Sequence, residues 1–195
     1  MTVDEIIQNY GDRLRKPNGD VLLRAYKYQP QLTEKLDGLT AEDFTDQTIY
    51  EVVLWKVDRF PLLTEDLLRQ VNGLKDIKAL NAEHEQRAHS AVRSLLSTKG
   101  IQLPMASTIL RFRNPSVFQI IDERAYRIVC DGEPNYPSKP YKISNGYLQT
   151  CIDIYFSYLA KLKELAVRLQ LDFSKLDRVL YQLDIELGNT LGRPR

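Results

Sequence analysis

Apolar residues recur at helical spacing almost from end to end of this chain, and nowhere does the pattern give way to sustained strand-like alternation. In "NGYLQTCIDIYFSYLAKLKELAVRLQL", Leu148, Ile152, Tyr155, Leu159, Leu162 and Leu169 hold one stripe over roughly 40 Å at about 1.5 Å per residue. A chain patterned this way is expected to be all-α.

Punctuation sets the expected elements. "TVDEIIQNYGDRLRK" opens on a Thr2 cap with acids in its first turn, and "GDVLLRAYKYQPQL" follows a Pro17-Asn18-Gly19 turn. A third helix through "QTIYEVVLWKVDRF" to Pro61 offers Ile49, Val52, Val53 and Trp55 for burial. "TEDLLRQVNGL" is capped by Thr64 and stops near Gly73, and the helix after Asn81 stops at Gly100. Another runs from Met105 to Arg113. Pro134, Pro137 and Pro140, interleaved with Tyr136 and Tyr141, then make a loop aromatic enough to pack. Ser144 caps the long helix quoted above, and "FSKLDRVLYQLDIEL" is the last, closed by Gly188.

At 195 residues, with 43% hydrophobic and 27% charged side chains, the chain can bury a core, and no apolar run approaches the ~20 residues of a membrane span. Its first residues lack the pattern of a signal peptide, so a cytoplasmic location and no membrane partner are expected. Two cysteines, Cys130 and Cys151, are too few for a disulfide framework or a four-thiolate metal site and are expected to be buried thiols. His84 and His89 lie five apart, which turns them away from each other on a helix, so no metal or other cofactor is expected. The net charge of +1 gives no overall field for nucleic acid, but from Lys99 to Arg127 five basic residues face two acids, a local charge of +3.

Within that window, "GIQLPMAS" forms a short hairpin between two helices, and the backbone N-H groups at the second helix's start suit a phosphate. The same segment is also what a plain connection between two core helices requires. Farther on, "NPSVFQIID" leads to Asp122, whose position before "ERAYRIV" is that of a favoured N-cap.

The stretch from Lys99 to Val129 resembles the helix-hairpin-helix base-excision DNA glycosylase superfamily. That family's pattern is a hairpin L-P-G-V-G-x-K-T-A, an apolar helix, and a Pro- and Val-rich approach to a catalytic aspartate at the next helix start. Here Gly100-Ile101-Gln102 stands at G-V-G, Ala106 at the alanine, "STILRF" in the second helix and Asp122 at the aspartate. The resemblance implies a two-lobed all-α fold in one compact domain over residues 1–195. One lobe would hold the hairpin, over about 46–130, and the other would join the helices of 1–45 and 131–195.

It further implies double-stranded DNA as partner, held mainly through phosphates by Lys99, Gly100, Gln102, Ala106, Arg111 and Arg124. Asp122 would stabilise the oxocarbenium charge that develops as an N-glycosidic bond breaks. Glu51 falls where adenine glycosylases of the superfamily carry the acid that protonates the base, and Trp55, Lys56 and Arg59 beyond it make a stacking and phosphate group for a base pocket. Among the departures from the pattern, two bear on chemistry: the second hairpin glycine is Gln102, and Pro104 replaces the lysine with which bifunctional members form a Schiff base. The activity implied is a monofunctional glycosylase. The alternative is a non-catalytic DNA-binding or protein-interaction module.

Overall fold

Ten α-helices and one short 3-10 helix make up a computed structural model that describes residues 3–15, 17–26, 29–40, 45–57, 61–130 and 133–190, and no strand occurs among them. The expected all-α class is what the chain adopts. Contacts divide it into two compact units, Met1–Phe60 and Pro61–Arg195.

The first unit contains α1 (Val3–Leu14), α2 (Asn18–Ala25), α3 (Pro30–Asp37) and α4 (Asp46–Lys56), with α1 against α2 and α3 against α4. The segment 19–32, expected as one helix, is two. Pro30 lacks the N-H that a continuing helix needs, so it starts α3 instead, after Gln29 at φ 43. The helix of "QTIYEVVLWKVDRF" stops at Lys56, with Val57 as its C-cap. Of the apolar side chains it was expected to bury, Ile49, Val52 and Val53 are exposed and Trp55 is half-buried. Leu32 is the one fully buried large hydrophobic residue described in this unit, and two side-chain hydrogen bonds, Lys35 to Glu51 and Trp55 to Thr33, join α3 to α4. The Thr2 cap lies outside the described residues.

The second unit contains α5 (Glu65–Asn72), α6 (Ala82–Ser97), α7 (Leu103–Arg113), α8 (Glu123–Cys130), α9 (Asn145–Leu169), the 3-10 turn Phe173–Lys175 and α10 (Leu176–Glu186). Three of its helix starts follow local chemistry: Thr64 accepts from the Leu67 N-H, Asn81 from His84 and Ser144 from Tyr147, each satisfying a first-turn donor. The stripe on α9 buries Leu148, Ile152, Tyr155, Leu159 and Leu162. Leu169 is exposed, because the helix ends one residue later in the left-handed Gln170 and its last turn runs past the core.

Around α9, α6 packs against α5 and α7, while α8 packs against both α9 and α10. Leu95, Leu103, Leu110, Phe118 and Ile121 complete the core from the other elements. Both cysteines are buried and unpaired. No described helix is long and apolar enough to cross a membrane.

Candidate functional site

The hairpin begins where α6 ends. Thr98 turns back to donate its hydroxyl to the Ser94 carbonyl, and the Ile101 N-H closes the turn on the Thr98 carbonyl at 3.1 Å. Between them Gly100 has φ +91, a conformation that a Cβ disfavours, although nothing lies within 4 Å of where one would point. The turn's handedness selects glycine here, with open space above it. Ile101 and Leu103 are buried and anchor the hairpin, which leaves Lys99, Gly100 and Gln102 exposed. The first turn of α7 has no intrahelical acceptor for its N-H groups, and Pro104 removes one of them, so Leu103 and Met105 supply the donors. Ala106 is fully buried and serves packing.

From α7 the chain passes through Asn114, whose buried amide donates to the Leu74 and Ile77 carbonyls. The last three residues before Asp122 are each braced by a tyrosine. Tyr155, Tyr158 and Tyr136 donate their hydroxyls to the successive carbonyls of Gln119, Ile120 and Ile121, at 3.0, 2.9 and 3.4 Å. The N-H of Ile121 donates to Ser107 Oγ on α7 at 3.1 Å, and that hydroxyl donates onward to the Pro104 carbonyl at 2.8 Å. One buried hydrogen bond therefore joins α7 to the segment that carries the acid, and the Ser107 hydroxyl that accepts it is itself held within the first turns of α7. Burial pushes the Tyr136, Tyr155 and Tyr158 phenols above their ordinary range, with Asp122 adding to the effect at Tyr136 and Tyr158, so all three remain neutral donors.

Asp122 is half-buried at the start of α8. Its Oδ1 accepts the Ala125 N-H at 2.8 Å and its carbonyl accepts from Tyr126 at 2.9 Å, the arrangement of an N-cap. Among the described residues Oδ2 makes no hydrogen bond, so capping leaves one carboxylate oxygen uncommitted.

The two arginines expected at phosphates lie inside the second unit. Arg111 is 7% exposed, donates to the Ser174 carbonyl at 2.9 Å and places Nε 3.6 Å from Asp177 Oδ2. Arg124 donates to Asp184 Oδ2 at 2.8 Å and to the Asn189 carbonyl at 3.0 Å. Arg127 adds two further hydrogen bonds to the same carboxylate, both 2.9 Å. With Arg127, Asn189 and Arg124 all donating to it, Asp184 is held at about 2, well below a usual carboxylate. Both Arg111 and Arg124 thus pair internal acids, and the positive charge of the window is largely matched within the fold.

In the first unit, Glu51 and Trp55 are one turn apart on α4 and both face α3. Glu51 Oε1 accepts from Lys35 Nζ at 2.6 Å, and the Trp55 indole N-H donates to Thr33 Oγ1 at 2.8 Å. Lys56 is exposed. Arg59 lies outside the described residues. No group of three or more His, Cys, Asp or Glu side chains among the described residues is placed to hold a metal. His84 bonds its ring to the Ala79 carbonyl, and His89 packs edge-on against Phe156 at 4.0 Å.

Reading the sequence alone missed the three tyrosine braces and the Asp184 cluster. Tyr155 and Tyr158 carried a signal, since they are three apart on a long apolar helix and a buried hydroxyl needs an acceptor. Set against known proteins, the chain matches no family model, no curated protein and no solved structure.

Proposed function

We propose that this protein is a DNA glycosylase-like protein of base excision repair, hydrolysing the N-glycosidic bond of a damaged or mispaired base in double-stranded DNA. The observation that carries the reading is the tie between hairpin and acid: Ser107, on the helix that leaves the hairpin, holds the N-H of Ile121 beside Asp122. A phosphate gripped at Lys99 and the first turn of α7 would then sit in fixed relation to a carboxylate with one oxygen uncommitted.

In this mechanism the base leaves the stack, charge develops on the deoxyribose, and Asp122 stabilises it or orients the attacking water. Capping assists that role, because the Ala125 N-H fixes the carboxylate's direction without occupying its second oxygen. Pro104 offers no amine, so no Schiff base forms at that position and the product is an abasic site. Since Arg111 and Arg124 are paired internally, the phosphate contacts of this reading fall on Lys99 and on the backbone from Gly100 to Met105.

The same internal pairing favours the alternative, a non-catalytic DNA-binding or protein-interaction module on this helical fold, because it leaves little free positive charge at the hairpin. Asp122→Asn separates the two. Asparagine also caps helices, so stability should stay nearly constant while excision from duplexes carrying oxidised, alkylated, deaminated or mismatched bases falls by roughly 100-fold or more. Absence of excision by the wild type across such a panel, or equal excision by both forms, sinks the enzyme reading.

A further inference from the structure

One face of α9 borders a cavity at the edge of the core. Phe156, Ala160, Lys163 and Val167 follow at steps of four, three and four, so they share one side of the helix, and they form the floor of a cavity of about 550 Å³ within the second unit. Val117 and Phe173 also line it, and its α9 floor from Phe156 to Val167 is roughly 17 Å long at about 1.5 Å per residue. The volume lies in the ~300–1,000 Å³ range of small-ligand sites.

The cavity's polarity is divided. Most of the lining is apolar, and its charged groups are Lys78, Lys163 and Glu85. Among the described residues neither lysine has an ion-pair or hydrogen-bond partner. Glu85 is directed toward His89, 3.6 Å away on the next turn of α6. Two uncommitted ammonium groups in a mostly apolar lining complement a molecule with a long aliphatic body and a single anionic head. The small Ala160, exposed at the floor, leaves room for the chain to lie along α9.

We propose that this groove binds an aliphatic carboxylate, its chain along Phe156, Ala160 and Val167 and its head between Lys78 and Lys163. Neither the hairpin residues nor Asp122 line this site, which does not depend on the glycosylase reading. A cavity of this volume takes one acyl chain, whereas a docked protein helix would need a wider surface.

Titration calorimetry of the full chain with octanoate, decanoate and dodecanoate below their micelle concentrations tests the assignment. Affinity should rise about fourfold per added methylene until the groove is filled, following the transfer free energy of a buried CH₂. Ala160→Trp should abolish binding, and Lys78→Glu and Lys163→Glu should each weaken it about fivefold. All three positions are exposed, so thermal unfolding should be unaltered in the variants. Decanol binding as tightly as decanoate, full binding by Ala160→Trp, or no heat at millimolar decanoate would overturn the proposal. So would an acidic amphipathic helical peptide binding tenfold more tightly than any of the carboxylates.

Discussion

Ser107 Oγ accepts the Ile121 N-H at 3.1 Å with both residues fully buried, joining α7 to the residue before Asp122 by a bond that water cannot replace. Because the same hydroxyl donates to the Pro104 carbonyl, it satisfies one group in the first turn of α7 and one in the approach to α8 at once. Ser107→Ala should cost about 1–3 kcal/mol, the penalty for stranding a buried N-H. Chemical denaturation would show this as a lower midpoint with an unchanged slope. A loss below a few tenths of a kcal/mol would mean the two elements are held together by apolar contacts alone.

A second prediction separates the tyrosine braces from the apolar packing of their rings. Tyr158→Phe keeps the buried ring and removes only the hydroxyl that reaches the Ile120 carbonyl at 2.9 Å. The expected loss is about 1–2 kcal/mol, with amide exchange of residues around 119–122 accelerating more than that of α6. Uniform acceleration across the second unit would show that the hydroxyl supports the whole core and has no local role.

These two contacts mark where legibility in the sequence ends. Helix starts at Thr64, Asn81 and Ser144, and the buried stripe on α9, were readable because cap and donor, or neighbours on one face, are three or four residues apart. The break between α2 and α3 hinges on a single Pro30 inside an otherwise helical pattern, where the amphipathic spacing on either side obscures it. Arg111 and Arg124 read as phosphate contacts because the acids that pair with them are far away in the sequence. Their acids, Asp177 and Asp184, arrive from α10, and for Arg124 the separation is 60 residues. Asp122 shows the limit from the other side: its capping bond to Ala125 spans three residues and was foreseeable, whereas what its second oxygen meets is set by elements distant in the chain.

The Asp184 cluster predicts a specific acid response. Its carboxyl is held at about 2 in the folded chain, below the roughly 3.9 of an unfolded aspartate, so folding favours the charged form. The stabilisation is complete above about pH 4 and is lost as pH falls toward about 2. Asp184→Asn leaves Arg124 and Arg127 facing a neutral amide and should cost about 2–3 kcal/mol at neutral pH, somewhat under the ~3–5 kcal/mol of a fully buried pair because both arginines reach water. Urea unfolding at a series of pH values should show the gap between wild type and variant closing below about pH 4. A gap that stays constant down to pH 2 would remove the ion pairs as its cause.

DNA binding gives the last prediction, because the structure assigns opposite fates to two basic residues of the same window. Lys99 is exposed on the hairpin next to Gly100, whereas Arg111 is 7% exposed and lies 3.6 Å from Asp177. If the hairpin grips phosphate, duplex affinity should be independent of sequence and fall with salt, with a slope of about 0.9 per phosphate neutralised. Lys99→Glu should then weaken binding across all duplexes, reduce the slope by about one, and leave thermal unfolding unchanged. Arg111→Glu should instead unfold the protein or lower its stability by about 3–5 kcal/mol, since it places a second carboxylate beside Asp177 in a site closed to water. Fluorescence anisotropy across a salt series, paired with thermal melts of both variants, distinguishes the two. A folded Arg111→Glu that loses DNA binding would place that guanidinium at the phosphates after all, and a Lys99→Glu variant with wild-type affinity and slope would take the hairpin out of DNA recognition.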